Sequence, residues 1–251
     1  MAPVSVTGEV VVEFKGFKKR FGSKLVHKDV SIQVRKGECL GLLGGSGAGK
    51  SVILRSLIGL EKPDDGSVSV NGVDITGMNE RQLIEIRKKV AYVFQNGALF
   101  DSMSVYENLA YPLRAHTKLT ETEIKKRVLS TLEEFGLEGN EGVMPANLSG
   151  GMQKRVGLAR SIILQPSIVL YDEPTAGLDP YNTIRIQETI SYLKTKGVTG
   201  ILVTHDMPTA FAVCDRIALL LEGRIAAIGT RQELERDSGG KLNRFVRGEE
   251  I

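Results

Sequence analysis

Eight consecutive residues, Gly44-Gly45-Ser46-Gly47-Ala48-Gly49-Lys50-Ser51, match G-x-x-x-x-G-K-[ST] at every position. Glycines at this density let a backbone curl until several N–H groups aim at one point, where they hold an anion. An apolar run, Cys39-Leu40-Gly41-Leu42-Leu43, precedes the loop, and a helix-compatible stretch from Val52 to Ile58 follows it. The loop therefore opens onto a helix N-terminus, whose positive dipole end adds to the same site. In that setting Lys50 is placed to reach the β- and γ-phosphates of a nucleoside triphosphate, and the Ser51 hydroxyl to ligate Mg²⁺.

A second constellation is the apolar segment Ile168-Val169-Leu170-Tyr171 ending in Asp172-Glu173. The carboxyl ends of strands in a parallel sheet face the ligand crevice. Asp172 is then expected to be the metal-side carboxylate, and Glu173 to orient and deprotonate the attacking water. A third is Leu148-Ser149-Gly150-Gly151-Met152. Two glycines behind a serine cap start a helix poorly, each costing up to about 1 kcal/mol against alanine. They leave a helix N-terminus of bare amides, a second anion site. One triphosphate has one γ-phosphate, already cradled by the first loop. The second site is expected to grip the nucleotide from the opposite side, presented by a partner subunit.

The elements that must position these residues are legible in outline. Val10–Phe14 and Asp29–Val34 read as strands, and Val68-Ser69-Val70, Asn71-Gly72, Val73-Asp74-Ile75 as a hairpin. Asn79 caps a helix toward Val90, Ala91–Phe94 is a short strand, and Thr120 with Glu123 forms a capping box for a helix ending near Gly136. A helix is expected from Gly150 to Leu164, and another from the cap Asp179 through Pro180 to Gly197. Ile201–Val203, Ile217–Leu221 and Arg224–Ile228 read as strands, with Thr230 and Glu233 capping a last helix. This alternation predicts an α/β fold: a P-loop NTPase core of mostly parallel sheet flanked by helices, beside an N-terminal antiparallel β-subdomain. Within a single domain over 1–251, residues 96–165 read as an inserted helical subdomain and 230–251 as a short helical tail.

Composition is that of a soluble globular chain, 41% hydrophobic and 25% charged, and a net charge of +3 gives no reason to expect nucleic acid as a partner. The longest apolar runs fall far below the roughly 20 residues of a membrane span, and the N-terminus lacks a secretory pattern. Cys39 and Cys214, distant in sequence, read as small buried hydrophobes in a reducing compartment. His27 and His116 match no motif and are expected at the surface.

The order phosphate loop, Gln95, Leu148-Ser149-Gly150-Gly151, Leu170-Tyr171-Asp172-Glu173, Gly177-Leu178-Asp179 and His205 resembles the nucleotide-binding subunit of an ATP-binding cassette transporter, over roughly Val10 to Gly229. The resemblance implies a homodimer sandwiching two ATP, with Mg²⁺ as cofactor. It implies that Phe21 stacks on adenine, where most members have tyrosine, and that Gly44, Gly45, Ser46, Gly47, Ala48, Gly49, Lys50, Ser51 and Val52 hold the phosphates. Val52, where Thr or Ser is usual, leaves one contact to the α-phosphate in doubt. Gln95 is then the lid glutamine contacting Mg²⁺ and water, and Glu173 the base. Ser149, Gly150 and Gly151 cap the partner's γ-phosphate, Asp179 lies in the interface loop, and His205 is the switch histidine. Metal contacts fall to Ser51, Gln95 and Asp172.

An ATPase alone moves nothing across a membrane, so a separate permease is implied, docking near Gln95, with the chain peripheral on the cytoplasmic face of the inner membrane. Gly97-Ala98-Leu99-Phe100, Ala110-Tyr111-Pro112-Leu113, Met152 and Val52 are similar to the ATPases of Mce/Mla-type phospholipid transporters. That narrower resemblance adds a lipid-carrier protein and a small regulatory subunit as partners. The C-terminal extension that holds the dimer and regulatory subunit in some Mla-type ATPases is not expected after Phe245-Val246-Arg247. Three alternatives stay open: a cassette for another solute such as an amino acid or metal chelate, a soluble cassette ATPase acting on DNA or ribosomes, and a small-molecule kinase. The second lacks a coiled-coil insertion, zinc ligands or a tandem cassette, and the third leaves Leu148–Gly151 and His205 unexplained.

Overall fold

β-Branched and aromatic residues crowd the segment after Gly8, and they form two long antiparallel strands, β1 (Val10–Phe21) and β2 (Lys24–Arg35). The computed structural model describes residues 8–236, 239–247 and 249. After β2 come β3 (Cys39–Leu43), α1 (Lys50–Leu57), β4 (Asp65–Val70), β5 (Val73–Asp74), α2 (Glu80–Arg87) and β6 (Val90–Val93). Helices α3 (Val105–His116), α4 (Glu121–Glu134) and α5 (Gly150–Ile162) follow without an intervening strand. The chain then alternates β7 (Ile168–Asp172), α6 (Pro180–Thr195), β8 (Thr199–Val203), α7 (Met207–Val213), β9 (Arg216–Leu221), β10 (Arg224–Thr230), α8 (Arg231–Arg236) and α9 (Lys241–Val246).

The strands form one ten-stranded sheet, ordered β5-β4-β1-β2-β10-β9-β3-β8-β7-β6. β9, β3, β8, β7 and β6 are mutually parallel, while β5, β4, β1 and β2 pair antiparallel. The two halves join through β10, antiparallel to β9 and parallel to β2 at Arg224 and Asp29. The expected architecture is therefore present, with the antiparallel wing continuous with the core sheet. The Asn71-Gly72 turn has φ of 49° and 74°, the paired positive values that a two-residue hairpin of this hand requires.

Parallel strands covered on both faces read as continuous apolar runs, and alternation sorts their side chains. Ile168 and Leu170 of β7, with Ile201 and Val203 of β8, join one core with Leu40, Leu42, Ile53, Leu54, Phe14 and Phe17. Val169, Tyr171 and Leu202 face the other way, into a core with Leu109, Val128, Leu132, Val156 and Ile186. Helices α3 to α5 sit on that second face and pack on one another. The sequence-based expectation names no helix over 105–116. Yet α3 is opened by a full capping box between Ser104 and Glu107 and tolerates Pro112 inside it.

Cys39 and Cys214 are free thiols, as expected, and the strand order brings their sulfurs to 3.9 Å. One expectation needs correction: His27 is not a surface residue. Phe17 pairs with Val30 while Lys19 pairs with His27, so β2 carries one extra residue there, and the Lys28 and Asp29 N–H groups both donate to the Gly223 carbonyl at 2.8 and 3.3 Å. That β-bulge re-aims the side chain, and His27 is fully buried. His116 is exposed, as expected.

Candidate nucleotide site

β3 delivers the glycine loop and α1 begins at Lys50, so the loop amides and the helix start face the same space. Gly49 caps α1 with φ 93°, a left-handed value, and a Cβ there would stand 2.6 Å from the His27 ring. Only glycine fits. Lys50, buried, donates its ammonium to the Gly44 and Gly45 carbonyls at 2.8 and 3.1 Å, spanning its own loop.

The end of β7 brings Asp172 to the loop. Ser51 donates its hydroxyl to Asp172 Oδ1 at 3.0 Å, and the Tyr92 hydroxyl donates to Oδ2 at 2.6 Å. Burial first, and then the Asp172 carboxylate, push the Tyr92 phenol well above its ordinary range, so it stays a donor. One residue on, Glu173 has φ 50°, with its N–H tied to the Val203 carbonyl at 2.9 Å. This turn aims the carboxylate at the loop after β8. There, His205 Nδ1 lies 2.9 Å from Glu173 Oε2.

These groups line one cleft of about 440 Å³, with Phe21, Val26, Ser46, Gly47, Gly49, Lys50, Ser51, Val52, Gln95, Asp172, Glu173, Val203 and His205 in its wall. Gly44, Gly45 and Ala48 complete the loop behind it. Phe21 presents an exposed ring, with the Lys19 ammonium 5.2 Å from its centroid. A larger hollow of about 520 Å³, walled by Arg127, Thr131, Gln165, Tyr192 and Lys196 among others, contains none of the candidate site residues.

Ser149, Gly150, Gly151 and Asp179 are not in the wall of this cleft. Ser149 caps α5 by accepting from the Met152 N–H at 3.3 Å, and a Cβ on Gly150 would meet nothing within 4 Å. Asp179 caps α6 by accepting from the Asn182 N–H at 3.0 Å and its side-chain amide at 2.6 Å, bonds that hold its carboxyl below the usual range. Asn182 also packs against Gly151, where a Cβ would come within 2.4 Å of it. These four residues thus form a second group, with the open start of α5 facing outward.

Sequence reasoning missed Tyr92 and Lys154 as site residues. Tyr92 was visible only as a strand residue; nothing in its spacing announced Asp172 across 80 positions. Lys154, on α5, donates its ammonium to the Ala176 carbonyl in the loop after Glu173. Burial lowers its pKa, and the Glu173 charge works against that shift.

The cleft suits a triphosphate with Mg²⁺. Ser51 and Asp172 are oxygen donors already 3.0 Å apart. Among the described residues no cluster of three or more His, Cys, Asp or Glu could hold a metal by itself. A hard cation with so few protein ligands must complete its shell with phosphate oxygens and water, as Mg²⁺ does.

Residues 27–176 match the ABC transporter family model. The chain belongs to that family. This ABC ATPase is 42% identical over 243 residues to the "Probable ribonucleotide transport ATP-binding protein mkl" of Mycobacterium leprae, covering 96% of the chain and 70% of that protein. It is 35% identical over 240 residues to the "Intermembrane phospholipid transport system ATP-binding protein MlaF" of Haemophilus influenzae, covering 95% and 91%. A dimeric ATP-binding cassette in a post-hydrolysis state with ADP and Pi superposes with a TM-score of 0.81 at 31% identity, covering 87% of this chain and 98% of that one. The ABC ATPase described here is thus an ATP-hydrolysing subunit of a transporter. Among its described residues no helix is long and apolar enough to cross a membrane.

Proposed function

We propose that two copies of this chain close around two ATP molecules and drive a separate permease that moves phospholipid between bacterial membranes. The observation that carries the dimer is the split of the site. Phe21, Lys50, Ser51, Gln95, Asp172, Glu173 and His205 share one cleft, while Ser149 and Gly150 face outward elsewhere on the same chain. An outward helix start with bare amides needs an anion, and the γ-phosphate in the partner's cleft supplies one.

In the closed pair, Phe21 offers its ring to adenine, worth roughly 1–3 kcal/mol by analogy with base–aromatic stacking. Lys50 exchanges its two loop carbonyls for phosphate oxygens. Ser51 and Asp172, with Gln95 at the rim, would hold Mg²⁺, which neutralises the β- and γ-phosphate charge when bound. Glu173 takes the proton of the attacking water. His205, beside Glu173, offers a ring N–H to the γ-phosphate. The Ser149 hydroxyl and the Gly150 and Gly151 amides of the other copy complete the charge clamp. Asp179, capping α6 behind Asn182, sets the loop that meets the partner copy.

The permease is read at the rim near Gln95, where Phe94, Phe100 and Tyr111 are all exposed and Phe100 packs edge-on to Tyr111 at 5.3 Å. An exposed aromatic pair such as Phe100 and Tyr111 supports a protein contact there. In this reading the chain sits on the cytoplasmic face of the inner membrane. Residues 96–165 then act as the subdomain that tilts the start of α5, and 230–251 as a tail. A lipid-carrier protein and a small regulatory subunit would complete the assembly.

The MlaF relatives support phospholipid as the cargo, and the mycobacterial relatives name ribonucleotides. A single experiment separates them. The chain is purified with its membrane partner and reconstituted in vesicles holding a fluorescent phospholipid. ATP-dependent lipid transfer lost in Glu173→Gln supports the proposal. Nucleotide movement without lipid movement supports the other cargo.

A further inference from the structure

The bulge that turns His27 inward sets an imidazole directly under the phosphate loop. The ring is fully buried, packs edge-on to Phe17 at 5.3 Å between centroids, and lies against Gly49 so closely that no Cβ would fit between. Neither ring nitrogen reaches a partner at full hydrogen-bond geometry; the nearest acceptor is the Gly49 backbone, close enough to favour the protonated ring without completing the bond. Buried polar atoms are nearly always paired, and a leucine would fill this space without leaving two nitrogens unsatisfied. Burial lowers the ring's pKa to about 4, with the nearby Gly49 backbone partly offsetting it, so the imidazole is neutral and carries one N–H. A polar group retained at such a cost points to a second state in which it is paired.

The phosphate loop supplies that state. Lys50 now braces the loop through the Gly44 and Gly45 carbonyls, contacts it must give up to reach phosphate. The Gly49 carbonyl accepts from the first turn of α1, the Val52 N–H at 3.0 Å and more weakly the Ile53 N–H at 3.3 Å, and the His27 ring lies near it without a completed bond. We propose that His27 is a positioning residue for the loaded phosphate loop: when nucleotide draws the loop closed, the imidazole N–H donates to the Gly49 carbonyl and fixes the loop from beneath. This rests on the reading of the cleft as the ATP site. His27 touches no nucleotide atom and acts through Gly49.

The test uses the full-length protein with His27→Leu, His27→Gln and, as a control on the site itself, Lys50→Ala. Melting temperature is measured without nucleotide, ATP affinity by displacement of a fluorescent ATP analogue, and KM and kcat by phosphate release. The expected result is opposite signs in one variant. His27→Leu melts higher than the parent, while its ATP affinity falls at least 5-fold, mainly as a raised KM, and His27→Gln, which keeps an N–H, recovers most of the affinity. Unchanged ATP affinity in His27→Leu overturns the inference, as does equal weakening in both His27 variants or a fall of melting temperature and affinity together. Should His27→Leu not fold, ring-¹⁵N NMR of the parent decides. A His27 nitrogen shift toward the hydrogen-bonded range on adding a non-hydrolysable ATP analogue supports the inference, and no shift refutes it. Normal ATP binding by Lys50→Ala would instead remove the phosphate-loop reading.

Discussion

His205 Nδ1 lies 2.9 Å from Glu173 Oε2, and the His205 backbone N–H donates to that same oxygen at 3.2 Å. Two donors on one carboxylate oxygen fix its plane and leave Oε1 as the free acceptor for a water proton. The positive φ of Glu173 is part of this aim, since a strained backbone persists where the surroundings over-determine it. Glu173→Gln keeps the shape and removes the base. ATP affinity should stay within 2-fold of the parent, while single-turnover hydrolysis falls by about 10²–10⁴-fold. Turnover near the parent's rate would strip Glu173 of the role of base.

Tyr92 and Ser51 divide the Asp172 carboxylate between them, one oxygen each. A group that orients a metal-side carboxylate contributes to metal affinity without touching the metal, typically 10–100-fold. Tyr92→Phe should therefore raise the Mg²⁺ concentration giving half-maximal ATPase activity by about 10-fold. Nucleotide binding measured without divalent ions should not change. An unaltered Mg²⁺ titration would mean that Ser51 alone sets the geometry of Asp172.

Ser149 is exposed at the start of α5, outside the wall of the cleft. Ser149→Arg should therefore leave ATP binding to the single chain intact. The added side chain should still prevent two copies from closing. In a Glu173→Gln background, where ATP persists, gel filtration with ATP should show a dimer for the parent and a monomer for the double variant. A dimer in both would detach Ser149 from the interface.

What the sequence made legible was local. The phosphate loop, the acidic end of β7, the Ser149 and Asp179 caps and the Asn71-Gly72 turn each need only a few neighbouring residues, and each is where the pattern put it. His27 was misplaced because strand alternation, counted back from Val34 through Ile32 and Val30, points Lys28 inward. The bulge adds one residue and hands that position to His27. It forms because Gly223, almost 200 residues on, offers one carbonyl to two N–H groups. The Cys39 and Cys214 contact and the Tyr92–Asp172 bond are likewise products of strand order. α3 is a different failure: its Ser104–Glu107 capping box was readable, but Pro112 and the mixed polarity of 105–116 hid the helix.

Glu38 shows how the end of the core sheet opposite the phosphate loop is held. Its side chain is almost wholly buried and accepts from the Arg35 N–H at 2.8 Å and from Arg216 Nη1 at 3.0 Å, tying the turn before β3 to the start of β9. Removing one partner of a buried pair leaves a charge without compensation, at about 3–5 kcal/mol. Glu38→Ala should lower unfolding stability in urea by about 3 kcal/mol or more. Replacing both Glu38 and Arg216 with methionine should recover much of that loss. Equal destabilisation in the single and double variants would place the effect in packing.

His27 also ties stability to pH, and the sign is fixed by its burial. Its pKa falls from an ordinary 6.5 to about 4 on folding. Between those values the unfolded chain binds a proton that the folded chain does not, so unfolding gains from acid and stability rises with pH. The stability held by a neutral His27 is thus complete above pH 6.5, and falls as the pH drops toward 4. Below that the His27 contribution is flat. His27→Leu removes the titrating group and should flatten this part of the profile, measured as urea midpoints from pH 7 to 4.5. Parallel profiles for parent and variant would mean that burial does not hold the imidazole neutral in the folded protein.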